Sequence, residues 1–221
     1  MSLENEEKIN SKKVLLAKKA DSGLIWLEPH EAEDWYGTFL GEVKDLHPHG
    51  QGIFISIDGL KYIGEWYSPK SGKGTFTWSN GKTYEGEWSN GKVHGYGTMT
   101  FLYGEKYKGE FKQGLRDGIG SFLHRNGDEY DGEWKKGKPH GYGKYTYNDG
   151  SIYAGDFVDG KPHGKGSYTW KNGDTFVGEY KWGLRNGSGV FTKNSSFLSF
   201  FGIKSKKGIW IDDKFKLFLK E

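Results

Sequence analysis

Residues 84–106 read YEGEWSNGKVHGYGTMTFLYGEK. In the first five positions the rings of Tyr84 and Trp88 alternate with Glu85 and Glu87, with Gly86 midway. A period of two is that of a strand, so both rings project from one side and both carboxylates from the other. Asn90-Gly91 follows, the dipeptide best suited to the two positive φ values of a type I′ hairpin turn. Gly95 to Phe101 then reads as the returning strand, and Tyr103-Gly104 as a second turn. One such stretch is a β-hairpin with an exit.

The same pattern extends in both directions. Copies begin at Tyr62, Tyr84, Tyr107, Tyr130, Tyr153 and Phe176, with one spacing of 22 residues and four of 23. The short spacing comes from a deletion near Ser68-Pro69. Asp159-Gly160 repeats the turn signal. Stepping back 23 residues from Tyr62 reaches Phe39, and Gly41, Gly50, Gly52, Phe54 and Gly59 occupy the repeat's own positions. Beyond the last copy, Gly208-Ile209-Trp210 matches a repeat start displaced by seven residues, through an insertion around Phe197 to Phe201. Degenerate end copies are expected, because a terminal repeat has one neighbour only.

The organisation expected is an N-terminal segment or cap over 1–34, an array over 35–194 with repeats starting near 39, 62, 84, 107, 130, 153 and 176, and a degenerate last repeat with a C-terminal cap over 195–221. Glu6 to Lys19 reads as a short amphipathic helix with Ile9, Val14, Leu15 and Leu16 apolar, and Leu24 to Leu27 as a strand or cap on the first hairpin. Phe215, Leu217, Phe218 and Leu219 are placed to seal the far end.

Composition supports a folded chain. Glycine occurs 36 times in 221 residues, which alone would favour disorder, but aromatic residues make up 17% and supply the apolar area that glycine lacks. Without cysteine there is no disulfide framework and no thiolate metal site. No run of about 18 apolar residues exists to cross a membrane as a helix. The apolar stretch Val14 to Ala17 is too short for a secretory signal, so an intracellular protein is expected. The net charge of +3 sits at the ends. Residues 1–20 hold five Lys against three Glu, and residues 204–221 hold six Lys against three acids, leaving 21 basic and 23 acidic residues between. Binding nucleic acid needs a basic stripe that displaces phosphate counterions, and none is present.

The Tyr-x-Gly-x-Trp start, the glycine turn and the Gly-x-Gly that follows resemble the MORN (membrane occupation and recognition nexus) repeat, over roughly residues 36–215. The resemblance implies an all-β fold: an elongated single-sheet ribbon of consecutive antiparallel β-hairpins, with a groove along one side. At two strands per repeat and about 4.8 Å per strand, seven repeats would span about 65–70 Å.

Catalytic motifs do not survive inspection. Gly86 to Lys92, Gly132 to Lys138 and Gly155 to Lys161 match the start of a phosphate-binding loop, but Val93, Pro139 or Pro162 follows instead of Ser or Thr. His94, His140 and His163 fall at one repeat position, too far apart to share a metal, and suit a hydrogen bond beside the turn. His47 and His49 are the one close pair, a weak ligand set without Cys or clustered carboxylates. Glu85, Glu87, Glu110, Glu133 and Glu179 read as solvated residues and partners for nearby Lys. No catalytic residue, cofactor or metal is expected.

The expected function is a non-enzymatic scaffold that lays a partner's extended or helical segment along an aromatic groove. The lining residues named for it are Trp66, Trp88, Phe111, Trp134, Phe157 and Tyr180. A single sheet must also bury rings to be stable, and a ring wholly covered by its neighbours leaves that list. The resemblance points to cytoskeletal, ciliary or membrane-associated assemblies. Alternatives are a peripheral protein on acidic phospholipid, where each Lys contributes roughly 1 kcal/mol, and a targeting or regulatory subunit of an enzyme complex. A homodimer through open sheet edges is a further expectation.

Overall fold

The computed structural model describes residues 12–20, 23–27, 36–67, 71–194 and 205–218. These form eighteen strands in one antiparallel sheet, with no helix among the described residues. The deletion near Ser68-Pro69 and the insertion around Phe197 to Phe201 lie outside the described residues. Two compact units divide the chain, residues 1–103 with 111–114, and residues 104–110 with 115–221.

The first unit holds β1 (Lys12–Ala20), β2 (Gly23–Leu27), β3 (Gly37–Lys44), β4 (His47–Ser56), β5 (Lys61–Trp66), β6 (Gly72–Thr77), β7 (Thr83–Ser89) and β8 (Lys92–Thr100). From β3 onward each strand pairs with its chain neighbour, while β1 pairs with both β2 and β3. The helix expected over Glu6 to Lys19 is therefore corrected: its described part, from Lys12 onward, is strand β1. Leu15 and Ala17 are fully buried, while Val14 before them is 42% exposed and Leu16 between them half-buried, the alternation of a strand. A contiguous run of four apolar residues does not distinguish the two periods, and pairing with β3 settles the matter for the strand.

Most of β9 (Lys106–Lys112) belongs to the second unit, followed by β10 (Leu115–Leu123), β11 (Glu129–Lys135), β12 (Lys138–Thr146), β13 (Ile152–Val158), β14 (Lys161–Thr169), β15 (Thr175–Lys181), β16 (Leu184–Thr192), β17 (Ser205–Ile211) and β18 (Lys214–Phe218). From β10 on, each pairs antiparallel with the next.

One repeat explains the rest. Tyr130 opposes Tyr145, and Gly132 opposes Gly143. The Tyr130 ring lies back over that glycine pair and donates its hydroxyl to Glu133 O at 2.8 Å. A Cβ on Gly143 would overlap the ring, so the glycine is required here for space. The first and fifth rings of successive repeats then stack edge to face. In the second unit the row runs Tyr130–Trp134 at 5.2 Å, Tyr130–Phe157 at 5.1 Å, Tyr153–Phe157 at 5.1 Å and Tyr153–Tyr180 at 5.0 Å. In the first unit it includes Phe39–Trp66 at 5.0 Å, Tyr62–Trp66 at 5.1 Å, Tyr84–Trp88 at 5.3 Å and Tyr84–Phe111 at 5.2 Å. Each such pair contributes about 0.5–1.5 kcal/mol beyond the area it buries.

Asn90 and Gly91 have φ of +53° and +72° and form the expected two-residue turn. Lys136-Gly137 and Trp182-Gly183 adopt the same geometry without Asn or Asp. Their amides are held by the preceding repeat: Gly137 N–H donates to Arg116 O and Gly183 N–H to Pro162 O, both at 2.8 Å.

Candidate functional site

Five of the six expected groove residues are inside. Trp66, Phe111, Trp134, Phe157 and Tyr180 are 3–6% exposed, each covered by the rings and turn of an adjacent repeat. They are the core of the sheet's ring face. Trp88 is half-buried and keeps an open side. Trp134 and Trp88 sit at one repeat position and make the same bond, Nε1–H to the carbonyl of Gly120 at 2.9 Å and of Gly74 at 3.3 Å respectively. What differs is the cover above them.

Above Trp134 that cover is Arg116, whose guanidinium carbon stands 4.2 Å from the Trp134 ring, 5.0 Å from Phe122 and 5.7 Å from Tyr107. Its Nη2–H donates to the turn carbonyl Gly137 O at 2.8 Å. Trp88 lines a cavity of about 360 Å³ in the first unit, together with Tyr62, Trp66, Phe76 and Trp78 and with Leu24, Tyr36, Phe54, Leu60, Glu65 and Gly91 among the described residues. Tyr62, Phe76, Trp78 and Trp88 are all half-buried, and Lys82 Nζ stands 4.6 Å over the Trp78 ring. Burial, with the neighbouring Glu65 charge, pushes the Tyr62 phenol up to about 12, and its hydroxyl donates to Glu65 O at 3.0 Å. The cavity thus presents neutral aromatic faces. Two of the six expected residues, Trp66 and Trp88, line it; the other four belong to the row described above. Sequence reasoning missed Tyr62, Phe76 and Trp78, although the 22-residue spacing marked this repeat as different.

The opposite face of the sheet differs between units. In the second unit Ala154, Ser167, Val177, Ser188 and Val190 floor an open trough of about 450 Å³, with Lys165, Glu179 and Lys207 beside it. In the first unit Val14, Leu40, Ile53 and Ile63 stand directly opposite one another across four strands, and each is 36–47% exposed.

Of the recurrent glutamates, Glu85 is exposed as expected, whereas Glu110 and Glu133 are corrected from solvated lysine partners to backbone acceptors. The ladder skips a register between Gly132 and Trp134. Glu133 Oε1 there accepts the Tyr142 N–H that the bulge leaves open, at 2.9 Å. Glu110 accepts Ile119 N–H at 2.9 Å, and Glu179 accepts the Ser188 hydroxyl at 2.6 Å. His94 and His163 each accept a turn amide on Nδ1 at 3.4 Å, from Gln113 and Trp182. His47 Nδ1 meets Asp45 O at 2.7 Å, and His49 packs edge-on against Tyr67 at 5.4 Å.

No curated protein matches the chain in sequence. Among solved structures it is similar to the TCP domain of Drosophila melanogaster SAS-4 (dCPAP), determined with a proline-rich motif of Ana2 (dSTIL). That match has 13% identity and a TM-score of 0.43, over 72% of this chain and 83% of the other. It is also similar to a point mutant of the TCP10 domain of Danio rerio CPAP, at 12% identity and a TM-score of 0.33, over 85% of this chain and 90% of the other. The MORN repeat family model matches seven consecutive times, at residues 41–61, 62–83, 84–101, 107–129, 130–152, 153–175 and 176–196. The hairpin, its glycine pair and its ring row are built by those same residues, and the chain belongs to the MORN repeat family.

Proposed function

We propose that the chain is a non-enzymatic scaffold that binds a protein partner, and that the partner engages the first unit at the Tyr62–Phe76–Trp78–Trp88 cavity. The observation that supports this is the contrast between repeats. Tyr62 and Trp88 are half-buried where Tyr107 and Trp134 at the same positions are buried, and together with Phe76 and Trp78 they line a concavity among the described residues. Rigid aromatic residues in a pocket are the typical anchors of protein interfaces, because they bury much area at little conformational cost. Such a partner belongs to a cytoskeletal, ciliary or membrane-associated assembly on this reading. A photo-crosslinking amino acid in place of Leu60, which lines the cavity, tests it in the protein's own cells. The expected result is one stoichiometric polypeptide that is crosslinked there and retained through salt and mild detergent. Recovery of the chain alone refutes the reading.

The exposed Val14–Leu40–Ile53–Ile63 row favours a second reading, attachment of the opposite face of the first unit to a membrane carrying acidic phospholipid. Co-sedimentation with anionic vesicles that is present in the wild type and is lost in Ile53→Glu is the expected outcome. Equal sedimentation of both would rule it out.

A further inference from the structure

Over the array acids and bases nearly balance, yet the second unit sorts them by position. Trp134, Phe157 and Tyr180 are buried on the ring face, so Lys135, Val158 and Lys181, one residue further along each strand, lie on the opposite face. Their partners across the hairpin turns are Lys138, Lys161 and Leu184. All four lysines are exposed. Leu115 and Leu184, at the register of Lys138 in their own repeats, stand at the two ends of this row and are 49% and 41% exposed. The nearest acids on that face are already engaged. Glu133, Asp156 and Glu179, two residues before the row, accept Tyr142 N–H and Lys165 N–H at 2.9 Å and the Ser188 hydroxyl at 2.6 Å. Among the described residues one of the four lysines has a carboxylate partner, Lys138 with Asp159 at 3.5 Å. Both side chains of that pair are more than 60% exposed, where an ion pair contributes little. Lys135 and Lys138 face each other directly across the hairpin, a like-charge pair that costs stability. The fold gains nothing from it.

We infer that this row is a docking strip for an acidic segment of the partner polypeptide, one with an apolar residue at each end. The strip is a second contact for the partner of the scaffold reading and rests on that reading. Charge complementarity gives the class of ligand, and spacing gives its form. At about 4.8 Å per strand, the lysines on β11, β12, β14 and β15 stand at about 0, 5, 14 and 19 Å along the row. Leu115 on β10 and Leu184 on β16 lie about 5 Å beyond either end. An extended chain sets every second side chain on one side at about 6.6 Å, so four alternate carboxylates fall within about 2 Å of the four lysine positions. The flexible stem of lysine takes up a difference of that size. The next alternate residue at each end then meets a leucine. An order of leucine, lysines and leucine along one line suits a linear ligand, whereas a planar anionic surface has no such order to match.

The probe is the peptide acetyl-Leu-Ser-Glu-Ser-Glu-Ser-Glu-Ser-Glu-Ser-Leu-amide, compared with versions carrying glutamine for glutamate or serine for both leucines. The readout is the backbone amide resonances of the full chain at low ionic strength. The expected result is a saturable shift at Lys135, Lys138, Lys161 and Lys181 but not at Asn126, Asn148 or Asn172 in the turns of the other edge. The glutamine peptide should bind more weakly by roughly 10-fold, and the serine-ended one by roughly 5-fold. Lys135→Glu sets a carboxylate opposite Lys138, so it should raise the melting temperature while weakening the peptide by roughly 10-fold. Lys135→Arg should keep the binding. Stability and affinity thus move in opposite directions, which a merely structural lysine would not allow. Equal binding of either control peptide overturns the inference, as does Lys135→Glu binding like the wild type, or no shift in the row. Vesicles of phosphatidylserine and phosphatidylcholine, or an oligothymidylate, that perturb the row where the peptide does not would overturn it too. A Leu60 crosslink that persists beside any of these leaves the scaffold standing and removes only the strip.

Discussion

Replacing Gly143 by alanine separates crowding from backbone conformation as the reason for the paired glycines. An added Cβ would overlap the Tyr130 hydroxyl and stand 2.6 and 2.7 Å from two of its ring carbons. Ordinary contact begins near 3.4 Å, so the ring must retreat by almost 1 Å. It has no room, being fully buried between Trp134 at 5.2 Å and Phe157 at 5.1 Å. Retreat also stretches the hydroxyl's bond to Glu133 O, a contribution of about 1 kcal/mol. Overpacking adds about 1–3 kcal/mol, so Gly143→Ala should destabilise by about 2–4 kcal/mol. In a Tyr130→Ala background the obstacle is gone. That variant alone costs about 3–5 kcal/mol, but adding Gly143→Ala to it should cost less than about 0.5 kcal/mol. The coupling is then about 1.5–4 kcal/mol. Gly137→Ala is the contrast, with a φ of +86° and open space around the new Cβ. It should cost about 1–2 kcal/mol in both backgrounds, because the strain is in its own backbone. Urea unfolding followed by tryptophan fluorescence measures the totals. Amide exchange in β11 and β12 localises the loss, since repeats can open separately. A Gly143→Ala cost that persists in the Tyr130→Ala background would falsify the crowding argument.

Three further outcomes follow from the same geometry. Trp134→Phe keeps the ring in the row but loses the 2.9 Å bond to Gly120 O, and should lower stability by about 1–2 kcal/mol in the same unfolding assay; no change would mean that the carbonyl is satisfied otherwise. Burial raises the Asp128 carboxyl, but donors from Asn148 N–H, the Asn126 amide and the Tyr145 hydroxyl, with His124 nearby, outweigh it and hold the group below its ordinary value. A depressed folded value gives stability that is present above about pH 4 and is lost as the pH falls through the folded value. Asp128→Asn should therefore flatten the acid side of the melting-temperature profile, and an unchanged slope below pH 4 argues against it. Burial also raises the phenols of Tyr84, Tyr130, Tyr153 and Tyr180 well above the ordinary value, and that of Tyr62 to about 12. Their raised folded values give stability that is complete below about pH 10 and is lost as the pH rises through them; phenolate absorbance should thus appear for these five only with unfolding, and a smooth titration of all 14 tyrosines near pH 10 in the folded protein would contradict it.

Sequence carries the period, the strand faces and the turns because each is local. Tyr84 and Trp88 lie on one side whatever surrounds them, and Asn90-Gly91 accepts two positive φ values by itself. Lys136 and Trp182 adopt the same conformation for a reason not contained in their own side chains: the glycine that follows and the amide acceptors supplied by the preceding repeat. The glutamates were legible as recurrent but not as caps, since a bulge is a property of two strands and shows only when both are paired. Lys12 to Ala20 failed for the converse reason. Its residues suit either period, and the partner strand β3 decides between them.

The site was legible in its chemistry but not in its location. A ring on a repeat strand is core or surface according to what lies over it, and that residue comes from a different position in the repeat. Arg116 covers Trp134, and Val93, Pro139, Pro162 and Arg185 stand at its register in the other repeats. Five rings of the six expected to meet a partner are therefore buried in the ring row. The sixth, Trp88, is half-buried and lines the cavity of the first unit. A repeat array makes many equivalent slots from one pattern and fills them with its own side chains to be stable. In this chain the aromatic cavity falls in the one repeat whose spacing is 22 residues.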